Sequence, residues 1–274
     1  MKTASAPASD LTTRFAAAVM MIAVAVVAIY VGGWLFRVLV VAASAVMLVE
    51  WGDMRRLSRR WSYVGALLLG GALLVVPEML FPVDEMDETI SAGTFEPAWQ
   101  GFAVIAVGGL LFGALTRRLS ALGGFLYVGI PAFALIVLDW AWFGLVLWVM
   151  AVTWSTDIFA FFAGRALGGP KLAPRISPGK TWSGLAGGVI GAAVFGALAA
   201  DWLSLGAPFL YIGGLMAVIA QAGDLYESWL KRRAGVKDSG SILPGHGGVL
   251  DRVDGLVPVV VVTLALLMAG LWTG

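Results

Sequence analysis

The chain contains no cysteine, so a disulfide framework and a thiolate metal site are both excluded. Its single histidine, His246, cannot build a zinc site alone. Charge is scarce too: 13% of the 274 residues are charged, against roughly 25% in an ordinary soluble domain. A net charge of +1, with no basic patch interleaved with aromatics, sets nucleic-acid binding aside. No internal repeat, low-complexity tract or long linker divides the sequence, so residues 1–274 read as a single integral membrane domain.

What is abundant is apolar. The chain is 60% hydrophobic, with a mean hydropathy of +0.91. Apolar runs near 15–34, 36–51, 62–81, 98–115, 121–138, 141–163, 183–200, 207–223 and 256–272 approach the roughly 20 residues that cross a hydrocarbon core. The fold class expected is all-α: a polytopic membrane protein with about nine transmembrane helices, the first two either separate spans, one bent hairpin or a re-entrant pair. The run after "MKTASAPASDLTTRF" is longer than a signal-peptide core and no small-x-small cleavage site follows, so a retained first span is expected.

Nine spans put the loops at 52–61, 116–120, 164–182 and 224–255 on the side of the amino terminus. That side then holds 17 of the 18 Lys and Arg, leaving only Arg37 opposite. The positive-inside rule makes it cytoplasmic. The opposite loop, "PVDEMDETISAGTFEP", is acidic. Small residues in "GLAGGVIGAAVFGALAA" read as close helix packing.

Polar chemistry gathers in region 155–255, in two segments unlike connectors. "KRRAGVKDSGSILPGHGGVLDRVDG" (231–255) alone carries eight charged side chains, six glycines and the histidine. Asp157 lies inside an apolar run, where an unpaired carboxylate is costly; it faces either a cavity or cation, or else Arg165 two turns on. Asp224 stands where the eighth run ends. If the helix continues through "LYESWLKRR", Gln221, Asp224, Ser228 and Lys231 share one face; whether it continues or stops, Asp224 asks for a cation. Asp251 and Asp254 point the same way at a helix start, either as dipole complements or, with Asp224 and Asp157, as hard-oxygen ligands for Mg²⁺. Gly245, Gly247 and Gly248 around His246 let main-chain N–H groups approach an anion. In "SPGKTW", Ser177 is expected to cap a helix beginning at Pro178, with Lys180 in its first turn as a phosphate site. Carboxylate-held Mg²⁺, several cations and glycine-rich turns are the equipment of phosphoryl or nucleotidyl transfer.

The stretch "SWLKRRAGVKDSGSILPGHGGVLDRVD" (228–254) resembles the C-terminal motif of phosphatidate cytidylyltransferases, and "GDLYES" and "KLAPRISPGKTWSG" are also similar to that family. The resemblance is strong over the C-terminal half; the first 150 residues match only in general character. It implies that CTP and phosphatidate give CDP-diacylglycerol and pyrophosphate, with Mg²⁺ and a second cation, in a homodimer of the cell inner membrane whose active site faces the cytoplasm. The metal-binding acids of the family match Asp224 and Asp251, with Asp254 added. Lys237, Arg252, Ser177, Lys180, Thr181, Gly247 and Gly248 would hold phosphates, and His246 would shape the site before acting as a base. The alternative is a transporter or channel for an anionic or lipid substrate, which would carry polar groups at mid-membrane and repeated halves.

Overall fold

The computed structural model describes residues 19–20, 23–81, 92–242 and 247–270. A helical stretch over 23–31 breaks at Gly32 and leads into α1 (Gly33–Met54). Next come α2 (Arg59–Leu80), a 3₁₀ turn (Ala92–Phe95), α3 (Ala98–Thr116), α4 (Leu119–Ala141) and α5 (Phe143–Leu167). A short hairpin, β1 (Lys171–Ala173) and β2 (Ser177–Thr181), precedes α6 (Trp182–Trp202). The chain closes with α7 (Ala207–Tyr211), α8 (Gly213–Ala234), α9 (Leu250–Val253) and α10 (Leu256–Met268).

Six of these, α1 to α6, are long and apolar enough to cross a membrane. The expected count of nine is not reached on that measure, for reasons visible in the chain. The run 207–223 is split at Ile212 between α7 and α8, and α8 leaves its apolar half for the polar "LYESWLKRR". The run 256–272 is helical only to Met268 among the described residues. Residues 15–18 and 21–22 of the run 15–34 lie outside them. The all-α expectation holds for the bundle, with the β1–β2 hairpin as its one exception among the described residues; the hairpin pairs Lys171 with Thr181 and Ala173 with Ser177.

The centre of the bundle is α4, the most buried of the six, whose Phe125, Phe133, Val137 and Leu138 are closed from solvent. Small residues set the closest approach. A Cβ on Gly187 of α6 would come within 2.2 Å of Ala163 Cβ and 2.9 Å of the Phe159 carbonyl oxygen on α5, so only glycine fits. That contact holds Asp157 of α5 near the start of α6. At one end of the bundle Arg37 is buried and pairs with Glu78 at 2.5 Å. The loops expected on the other side do meet there: Arg118 Nη1 donates to Arg56 O (3.0 Å), Trp51 Nε1 to Ser120 O (2.8 Å) and Arg232 Nε to Ile176 O (3.3 Å).

Candidate active site

The polar end of the bundle contains a cleft of about 470 Å³. Asp157 and Arg165 from α5, Lys171, Lys180 and Thr181 from the hairpin, and Gln221 and Asp224 from α8 line it. The continuous-helix reading of α8 is correct: Ser228 Oγ donates to Asp224 Oδ1 at 3.3 Å, one turn away. Asp224 also has the cation its position asked for. Lys180 Nζ lies 2.5 Å from Asp224 Oδ2, in an ion pair whose angles are not those of a hydrogen bond. Asp157 is not paired with Arg165, whose guanidinium sits 5.9 Å from the Phe161 ring centroid; both residues face the cleft.

One expectation needs correction. Ser177 does not cap a helix, and Pro178 does not begin one: Ser177 to Thr181 is strand β2. Thr181 is the cap of α6, its Oγ1 accepting from Gly184 N at 3.0 Å. Ser177 pairs across the hairpin with Ala173 instead. The extended stretch places Lys180 before the helix rather than in its first turn, with its ammonium in the cleft.

Behind the cleft lies a second, drier network. Asp251 Oδ2 accepts from Ser239 N (2.9 Å), Ser239 Oγ (2.9 Å) and Gly248 N (2.8 Å), and its Oδ1 holds Lys231 Nζ at 2.5 Å. Lys231 also reaches Glu227 Oε2 at 3.1 Å. Burial opposes ionisation of Asp251, yet Lys231 and the donors from Gly248 and Ser239 hold its carboxyl below the usual carboxylate range. Burial likewise opposes the Lys231 charge, and Asp251 and Glu227 outweigh it and raise the lysine. Glu227, fully enclosed, is pushed up by burial and by the nearby charge of Asp254. Burial pushes the Asp254 carboxyl up, and the negative charge of Asp224 adds to the rise. These acids, with Lys231 beside Glu227 and Asp251 and Lys180 beside Asp224 as their cations, have room electrostatically for more positive charge.

The N–H of Gly248 thus does find an anion, and that anion is Asp251. Arg252 is exposed, and Lys237 stands exposed; both lie outside the cleft lining. His246 and Gly245 lie outside the described residues. Gly247, at φ +80°, has Asp251 Oδ2 2.7 Å from the place of a Cβ. Among the described residues no three His, Asp or Glu side chains are arranged to hold a metal ion.

Glu50 of α1 has no place in the sequence reading, yet it organises this network. Its carboxylate, 5% exposed, accepts from Val249 N and Leu250 N, each at 2.9 Å, and lies 3.3 Å from Ser239 Oγ. A Cβ at Gly248 would meet Glu50 Oε1 at 2.6 Å and Ser239 Oγ at 2.2 Å, which explains the glycine. Glu50 and Asp251 therefore share the Ser239 hydroxyl, and α1 is tied to a segment about 200 residues away. Only its acidic character at the end of an apolar run could have flagged it; nothing in local spacing names its partners.

The cytidylyltransferase family model matches residues 12–269. The chain is 39% identical over 264 residues to the phosphatidate cytidylyltransferase of Brucella abortus, covering 91% of this chain and 90% of that protein. It is similar over shorter stretches to the phosphatidate cytidylyltransferases of Pseudomonas aeruginosa, 40% identical over 57% of this chain and 60% of that one, and of Haemophilus influenzae, 44% identical over 42% and 43%.

Proposed function

The chain belongs to the cytidylyltransferase family and is a nucleotidyltransferase, and from that premise we propose that it joins CTP to phosphatidate in the inner membrane, with the reaction at the cytoplasmic face. A phosphate oxygen of phosphatidate attacks the α-phosphorus of CTP, forming the new O–P bond as the bond to the β-phosphate oxygen breaks. CDP-diacylglycerol and pyrophosphate result. The observation that carries this reading is the cleft itself, where Lys171, Lys180 and Arg165 face Asp157 and Asp224 at the polar end of an apolar bundle.

The acids fit Mg²⁺. That ion takes one or two carboxylates and completes its shell with water and substrate phosphate, so it needs no three-residue cage. Asp224, in the cleft lining, and Asp254, whose carboxyl the charge of Asp224 helps to raise, would hold it. It would supply charge neutralisation on the phosphates. Asp251, its acceptors taken by Lys231, Ser239 and Gly248, would keep Asp254 in register from behind. Lys180 releases Asp224 as a triphosphate enters and turns to the phosphates, with Thr181 and Ser177 on the same strand. Through the family resemblance alone, Arg252, Lys237, Gly247 and Gly248 would also hold phosphates and His246 would shape the site. A second cation and a homodimer remain part of the proposal through the family resemblance alone.

The test is pyrophosphate release by the detergent-solubilised full chain. Release that requires CTP, phosphatidate and Mg²⁺ together, and stops with chelator, is the expected result. Folded protein that releases none would overturn the proposal and favour the transporter.

A further inference from the structure

Six arginines stand outside the cleft at the same bundle end: Arg55 and Arg56 between α1 and α2, Arg59 and Arg60 in the first turn of α2, and Arg117 and Arg118 between α3 and α4. The Arg118 guanidinium donates to Arg56 O at 3.0 Å, so the loops form one surface. Asp53, 3.9 Å from Arg59, is the only acid on either loop. Arg56, Arg59, Arg60, Arg117 and Arg118 are all exposed. Trp61 and Leu119, 37% and 85% exposed, flank the patch as interfacial residues do.

The backbone adds an independent observation. Arg56 and Arg117 have φ of +54° and +53°, the left-handed region that favours glycine. Each occupies the same helix-ending turn: Leu57 N bonds to Gly52 O (2.8 Å), and Arg118 N to Gly113 O (3.0 Å). The identical turn at the end of α8 uses Gly235, and the one ending α6 uses the small Ser204. In a chain with 36 glycines, the two strained positions that adjoin each other both carry the largest cation. Membrane sidedness asks for positive charge somewhere in a loop. It does not ask for a side chain at the one place in each loop where the backbone prefers none, and strain held in this way marks function.

We infer that this double-arginine corner is a binding site for the phosphodiester headgroup of an anionic phospholipid, separate from the cleft in which the reaction is proposed. Guanidinium forks suit phosphate oxygens, and the flanking Trp61 and Leu119 suit a headgroup at the membrane surface rather than a free anion in water. Each arginine near an anionic surface contributes about fivefold in affinity, so loss of two weakens binding roughly 25-fold.

The test uses the detergent-solubilised full chain, with retained lipid counted by native mass spectrometry after equilibration with phosphatidylglycerol or phosphatidylcholine. Wild type should retain phosphatidylglycerol in preference. Arg56→Gly/Arg117→Gly should lose about 25-fold of that affinity while melting at the same or a higher temperature, because glycine relieves both turns. The melting result separates lost binding from lost folding. Lys180→Ala, in the cleft, should bind phosphatidylglycerol like wild type. Undiminished affinity in the double-glycine variant would overturn the site. Displacement of the lipid by millimolar inorganic phosphate would overturn its assignment to a lipid headgroup.

Discussion

At the scale of single residues, the site divides into groups that face the cleft and groups that hold them. Asp224 and Lys180 are of the first kind, Asp251, Lys231 and Glu50 of the second. Glu50 is the sharpest case, because both of its oxygens are used and each partner belongs to the Ser239–Leu250 stretch. Glu50→Gln keeps shape but turns a donor toward Leu250 N or Val249 N. Its expected cost is a drop in turnover of roughly 10- to 100-fold, the scale of outer-shell changes around metal sites. A higher Mg²⁺ requirement should accompany it, with the KM for CTP nearly unchanged. Equal loss through CTP affinity alone, or a wild-type Mg²⁺ requirement, would count against the positioning role. Asp251 was legible in the sequence because it sits in the long motif at 228–254, and Asp224 because it sits in the stretch "GDLYES" just before it; Glu50 was not, since a lone acid closing an apolar run carries no record of what it will touch.

At the scale of elements, the informative difference is the hairpin. "SPGKTW" reads as a capped helix start by its Ser-Pro pair, and the structure moves the start to Trp182 and gives the cap to Thr181. Pairing with Lys171–Ala173, available only once the chain has folded back, outweighs the local helix signal. Thr181→Ala should then cost about 1 kcal/mol in thermal unfolding, typical of a lost cap. Ser177→Ala should cost little, and the reverse order would restore the helix reading. Span boundaries were readable where one apolar run makes one helix, as in α3 and α4. They failed where tertiary structure divides or shortens a run, at Ile212 and after Met268.

At the scale of the whole molecule, charge asymmetry was the strongest sequence signal, and the structure brings those loops to one end. The side of the membrane on which that end lies is open to direct test, because the chain has no cysteine to remove. Single cysteines at Ser58 and Lys237, both exposed, should react in intact cells only with a membrane-permeant maleimide. A cysteine at Glu85, in the acidic loop, should react with an impermeant one. Labelling of Ser58→Cys by the impermeant reagent would reverse the orientation.

The account as a whole rests on nucleotidyl transfer to lipid in the cleft around Asp224. The most direct measurement follows label from α-³²P-CTP into the lipid phase, with purified wild type and Asp224→Asn in the presence of phosphatidate and Mg²⁺. Label should enter a CDP-lipid with wild type, fall by at least about 100-fold in the variant, and never enter lipid from γ-³²P-CTP. Lipid labelled from the γ-phosphate, or equally labelled by a folded Asp224→Asn protein, would contradict it.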